Sequence, residues 1–183
     1  MNFSAKRLSR ILHSLFQFAM LGTPLAACAI AWNLDWVLDA SQTASSLGIN
    51  FGWQPVPTAS PDMTTKALFL AAISVPMGMM CCVFWHLSSL FGNFAKDAVF
   101  AAQNVRHVRM VGVFLLIREL LSPIEGALTS FIITMNNAPG ERMIAVSLDY
   151  SNLTTIVTAL TVIVAAHVMD QAQAMSMEAE LTI

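Results

Sequence analysis

The sequence predicts an all-α integral membrane protein with four transmembrane helices, both termini in the cytoplasm, and a small β-element on the outer side. Three observations carry this reading. Apolar residues fall into four blocks, roughly Ile11–Trp32, Ala67–Phe91, Met110–Met135 and Leu153–Met169, each near the ~20 residues that span a hydrocarbon core. Hydrophobic residues make up 56% of the 183 and charged residues 11%, about half the charged share of a soluble domain. Lys6, Arg7 and Arg10 precede the first block and Lys96, Arg106 and Arg109 follow the second, whereas only Lys66 and Arg142 fall in the first and third connections. Basic residues stay on the cytoplasmic side, so the crossings are even in number. Residues 1–183 then form one transmembrane domain with outer loops 33–66 and 136–152, an inner loop 92–109 and a cytoplasmic tail 170–183.

The first block also admits a lipoprotein reading, with processing before Cys28. Apolar residues continue through Ala31 and Trp32, and His13 and Gln17 interrupt the core of such a signal, so an uncleaved helix is the better reading. Trp32, Trp36 and Tyr150 suit the outer interfacial belt and Trp85 the inner one. The connection that follows is punctuated by Gly48, Gly52, Pro55, Pro57 and Pro61. Leu47–Gln54 reads as a short strand, and Arg142–Asp149 alternates apolar and polar sides more clearly. Their pairing would make the β-element.

The second block carries Met79, Cys82 and His86 on one helical face, and the first repeats the arrangement with His13, Gln17 and Met20. With His167 late in the fourth block, His13, Cys82 and His86 are candidate metal ligands. Thioether, thiolate and imidazole together suit copper, and paired imidazoles suit a haem. Methionine as a filler of gaps and histidine as an interfacial polar tip explain the same residues without a cofactor. No Cys-x-x-Cys, His-Glu-x-x-His or haem-attachment motif is present. Cys81 and Cys82 are adjacent, and their diverging Cβ vectors oppose a bridge.

The third block is the polar one. Arg118 and Glu119 lie roughly 12 Å into it at 1.5 Å per residue, and Glu125 is deeper. Three such charges cost up to about 8–10 kcal/mol of insertion energy, and thirteen Leu, Ile, Val and Phe residues return about 4–8 kcal/mol. This helix therefore needs to insert as a hairpin with the fourth, its charges turned toward other helices. Arg118, Ser122, Glu125 and Thr129 form one stripe, and Thr154, Thr158 and Thr161 form another on the fourth block. Facing stripes would join Arg118, Glu119, Ser122, Glu125, Thr129 and Thr158 in an intramembrane network. Such a network marks a proton or solute path, or it sets helix register. Four helices leave little room for a protected pore, which favours the second. Pro123 frees the carbonyl of Glu119, and Ser151 or Asn152 suits the N-cap of the fourth helix.

The net charge of −2 and the lack of a basic stripe exclude direct nucleic-acid binding. No nucleophile with an oxyanion-hole motif and no phosphate loop is present, which argues against an enzyme. Ser74/Gly78/Cys82 and Gly126/Ser130 are spaced for close helix contact within the chain or in a homo-oligomer.

Residues 87–100 (LSSLFGNFAKDAVF), 104–112 (NVRHVRMVG) and 177–183 (MEAELTI) resemble the inner-loop signature and closing motif of a bacterial membrane family, domain of unknown function 2975. Lys96-Asp97-Ala98 stands where members carry a turn glycine, and Glu180 where they carry aspartate. The resemblance implies a multi-pass protein of the bacterial inner membrane. Relatives often lie beside a small Cro-like helix-turn-helix regulator, which implies a cytoplasmic protein partner. Arg106 and Arg109 of the inner loop and Glu178, Glu180, Leu181 and Ile183 of the tail are the residues it points to for partner binding.

Overall fold

The computed structural model describes residues 3–46, 60–98, 101–146 and 150–181. They form five helices: α1 (Phe3–Trp32), α2 (Leu34–Ser46), α3 (Met63–Ala95), α4 (Ala102–Thr134) and α5 (Tyr150–Leu181). Three of them, α1, α3 and α5, are long and apolar enough to cross a membrane. Only 11%, 17% and 11% of their apolar windows are covered by the rest of the chain. Most of that apolar surface therefore faces the surrounding medium. Leu8, Ile11, Leu15, Phe18, Leu21 and Leu25 are exposed along α1, and Leu153, Val157, Leu160, Val164 and Val168 along α5. Both sets recur every three to four residues, one helical stripe each. A surface of this kind suits lipid and is foreign to a soluble monomer.

The chain divides into two compact units, to which α1, α3 and α4 contribute successive portions. The first comprises Met1–Gly22, Met79–Glu119 and Ser151–Ile183. In it Phe16 of α1 stacks on Phe84 and Phe91 of α3, with ring centroids 6.1 and 5.7 Å apart. His13 Nδ1 donates to the Ser88 carbonyl at 2.8 Å, and its ring lies over Gly92, where a Cβ would come within 3.2 Å of it. Pro24 cannot donate to the carbonyl of Met20 four residues earlier. Cys81 Sγ donates to that carbonyl at 3.6 Å, which gives the thiol a structural use.

Helices α4 and α5 pack in this unit as an antiparallel pair. A Cβ added to Gly112 would stand 2.6 Å from Ile163 Cγ1 and 2.9 Å from the Ala159 carbonyl. The backbones approach as closely as only glycine allows.

The second unit comprises Thr23–Gly78 and Leu120–Tyr150. Its core joins Ala27 and Ala31 of α1, Leu34 and Leu38 of α2, Phe69 and Ile73 of α3, and Ile132 and Ile133 of α4. Helix α2 lies where a loop is expected. Leu34, Leu38 and half-buried Ser41 recur at i, i+4 and i+7, and the glycines and prolines of the connection begin only after it ends. Asp62 caps α3, its Oδ1 accepting from the Thr65 amide at 2.8 Å and the Thr65 hydroxyl at 2.6 Å. These bonds hold the Asp62 carboxyl below its usual range.

The β-element is not found among the described residues. Leu47–Gln54 and residues 147–149 lie outside them, and Arg142–Val146 is not a strand. The period-two alternation read from the sequence has a different partner. The Met143 amide donates to Thr134 Oγ1 at 3.0 Å and the Ala145 amide to Ser130 Oγ at 2.8 Å. An extended strap therefore hangs along α4 on two hydroxyls one helical turn apart.

Candidate functional site

The polar groups of the first unit concentrate where α3 turns into α4. The Ala98 amide reaches the Asn93 carbonyl at 3.0 Å and the Asp97 amide the Phe94 carbonyl at 3.2 Å, the bond pair of a Schellman helix end. That motif needs a left-handed residue, and Asp97 supplies it with φ 64°. Aspartate tolerates this region better than most side chains, so the turn closes without glycine. Lys6 forms an ion pair with Asp97. That contact holds the Asp97 carboxyl below its ordinary value. Asn104 is fully buried; its Oδ1 accepts from Asn93 Nδ2 at 2.8 Å and its Nδ2 donates to the Ala98 carbonyl at 2.6 Å. One amide thereby locks the turn to α4.

Two further contacts tie this end together. Arg109 of the inner loop meets Asp170 of the tail at 2.7 Å. His86 and His107 approach with Nδ1 atoms 2.9 Å apart, so one imidazole donates and the other accepts. Burial and then the Arg106 guanidinium hold His107 below its usual pKa.

A second polar cluster involves α4 and α5. Glu119 has 5% of its side chain exposed. It takes Arg118 at 3.1 Å and Asn152 on its other oxygen. Asn152 is thus a partner inside α5, which begins at Tyr150, and not the helix cap the sequence suggested. Arg118 is 36% exposed, so within this cluster the buried charge is Glu119. Thr129 donates to the Glu125 carbonyl at 2.8 Å, and Thr158 is exposed and donates to the Thr154 carbonyl at 2.8 Å. The hydroxyls of these threonines serve their own helices. Ser122 and Glu125 are half-buried.

The candidate metal ligands each have a local setting. His13 is held by Ser88, His86 by His107, and His167 lies 3.3 Å from Gln171; Cys82 is half-buried. No group of three or more His, Cys, Asp or Glu suited to a metal ion occurs among the described residues. Arg106 is exposed. Helix α5 reaches Leu181, but the side chains of Glu178, Glu180 and Leu181, and all of Ile183, lie outside the described residues.

Sequence reasoning missed the burial of Asn104 and the role of Asn152, which it read as a candidate helix cap, whereas Asp170 was already legible as a tail charge facing the basic inner loop. Asn104 opens the NVRHVRMVG motif, and its burial follows from the turn it closes. Asn152 could be found only by knowing which α5 residue lies opposite Glu119. No curated protein and no solved structure matches this chain. Residues 17–183 match the family described as protein of unknown function (DUF2975), and with that match covering nearly the whole chain, on an all-helical frame with three helices able to span a membrane, the protein belongs to the DUF2975 family.

Proposed function

We propose that the protein is a non-enzymatic, four-span protein of the bacterial inner membrane that binds a cytoplasmic protein and signals to it. Helix α4 is the fourth span. Ile117, Leu120, Ile124, Leu128 and Phe131 are exposed on it, while Glu119 is turned inward against Asn152. An outward apolar stripe with an inward charge is how a polar helix is accommodated in lipid. With four spans and the basic residues inside, both termini are cytoplasmic.

One observation carries the partner reading. Arg7, Arg10, Lys96 and Arg106 are exposed and, among the described residues, none forms an ion pair, whereas Lys6 and Arg109 are taken by Asp97 and Asp170. The turn is thus internally braced, and the uncommitted cations belong to the same unit as the Arg109–Asp170 contact with α5. A protein with an acidic face fits that surface, and the family resemblance suggests a small helix-turn-helix regulator. Deleting Met177–Ile183, or substituting Arg106→Glu, is expected to abolish co-purification of the cytoplasmic partner while carbonate-resistant membrane insertion persists. Undiminished co-purification from both variants would overturn the proposal.

A further inference from the structure

Beside the strap, the second unit holds an open groove of about 560 Å³ lined by Pro123, Ile124, Ala127, Leu128, Phe131, Ile144 and Val146. Every lining side chain is apolar. The volume lies within the range of small-molecule sites, about 300–1,000 Å³. The strap's register decides what stands above it. The Met143 and Ala145 amides tie the strap to α4, and in extended chain residues 142, 144 and 146 share one face, the face from which Ile144 and Val146 line the groove. Ala145 lies by Ser130 and Met143 by Thr134, so the strap runs antiparallel to α4. Arg142 therefore follows Ile144 toward the C-terminal end of α4. Arg142 is exposed, and among the described residues it forms no ion pair.

We propose that this groove binds one phospholipid: an acyl chain along Phe131, Leu128 and Ile124, and an anionic headgroup on the Arg142 guanidinium. This rests on α4 being a membrane span, which places the C-terminal end of α4 at headgroup level. An apolar slot with Arg142 next on the same face of the strap, and in no ion pair among the described residues, matches the division of a lipid into chain and phosphate, and an apolar helix of a second copy would leave Arg142 unused. Glu141 precedes Arg142 and opposes the same headgroup.

The test is native mass spectrometry of the full chain in detergent, titrated with phosphatidylglycerol or phosphatidylcholine of identical acyl chains. One phosphatidylglycerol per chain is expected to bind more tightly than phosphatidylcholine. Arg142→Gln should weaken phosphatidylglycerol about fivefold, the equivalent of the ~1 kcal/mol a basic residue contributes at an anionic surface, and leave phosphatidylcholine unchanged. Glu141→Gln should strengthen phosphatidylglycerol. Ala127→Phe, which fills the slot, should weaken both lipids. Equal binding by the wild type and both Arg142→Gln and Ala127→Phe, or a lipid-free dimer lost on Ala127→Phe, would overturn the proposal. A separate topology assay that failed to place α4 across the membrane would remove its foundation without reference to lipid binding.

Discussion

Gly112→Ala is the most informative single substitution in the α4–α5 pair. The added methyl would stand 2.9 Å from the Ala159 carbonyl oxygen and 2.6 Å from Ile163 Cγ1. Reaching the ordinary 3.4 Å contact moves the carbonyl by about 0.5 Å, and a helical backbone moves only as a unit. Overpacking of this kind costs about 1–3 kcal/mol. Alanine returns up to ~1 kcal/mol of helix propensity, so a matched control is needed. Gly78 in α3 has nothing within 4 Å of its would-be Cβ, and Gly78→Ala carries the propensity gain alone. The two variants should differ by about 2 kcal/mol, which is ~4–8 °C in Tm for a chain of this size. Tm in detergent, followed by size exclusion after heating, reads the difference. Gly112→Ala as stable as Gly78→Ala would refute the close approach of α4 and α5.

Two further outcomes follow from the α3–α4 turn. Asn104→Ala removes a fully buried amide that bridges Asn93 and Ala98, and should cost about 2–3 kcal/mol in unfolding by SDS titration, whereas a loss below ~0.5 kcal/mol would count against the lock. His107 has a folded pKa below its usual value of 6.5, so the unfolded chain binds the extra proton as pH falls through that value. Its contribution to stability is present above pH ~6.5 and lost below it, so wild-type Tm should drop between pH 7 and 5.5 more than that of His107→Phe; parallel profiles would contradict this.

The helices were legible because four apolar blocks of membrane length need no knowledge of packing. Their ends were not: α1, α3 and α5 run past the apolar blocks because polar turns of helix cost little beyond them. Helix α2 was hidden by the glycines and prolines that follow it, although Leu34 and Leu38 already carried its period. Alternation in Arg142–Val146 was visible, but whether its amides meet a strand or the Ser130 and Thr134 hydroxyls depends on what α4 presents there. The charged middle of α4 was likewise visible, while the choice of Glu119 over Arg118 as the buried residue was not. A helical stripe taken from spacing alone is uncertain by one residue, which is ~100° of rotation, and the position of Asn152 on α5 decides it.

Whether α4 crosses the membrane decides both the number of spans and the setting of Glu119. The most direct test is labelling of single cysteines with a membrane-impermeant maleimide in intact spheroplasts, after replacing Cys28, Cys81 and Cys82. A cysteine at Gln103, before the apolar part of α4, should label only after the membrane is opened, and one at Ala138, just beyond the helix, should label without opening. Labelling of both positions under the same condition would mean that α4 does not cross, and that Glu119 and Asn152 meet outside the lipid.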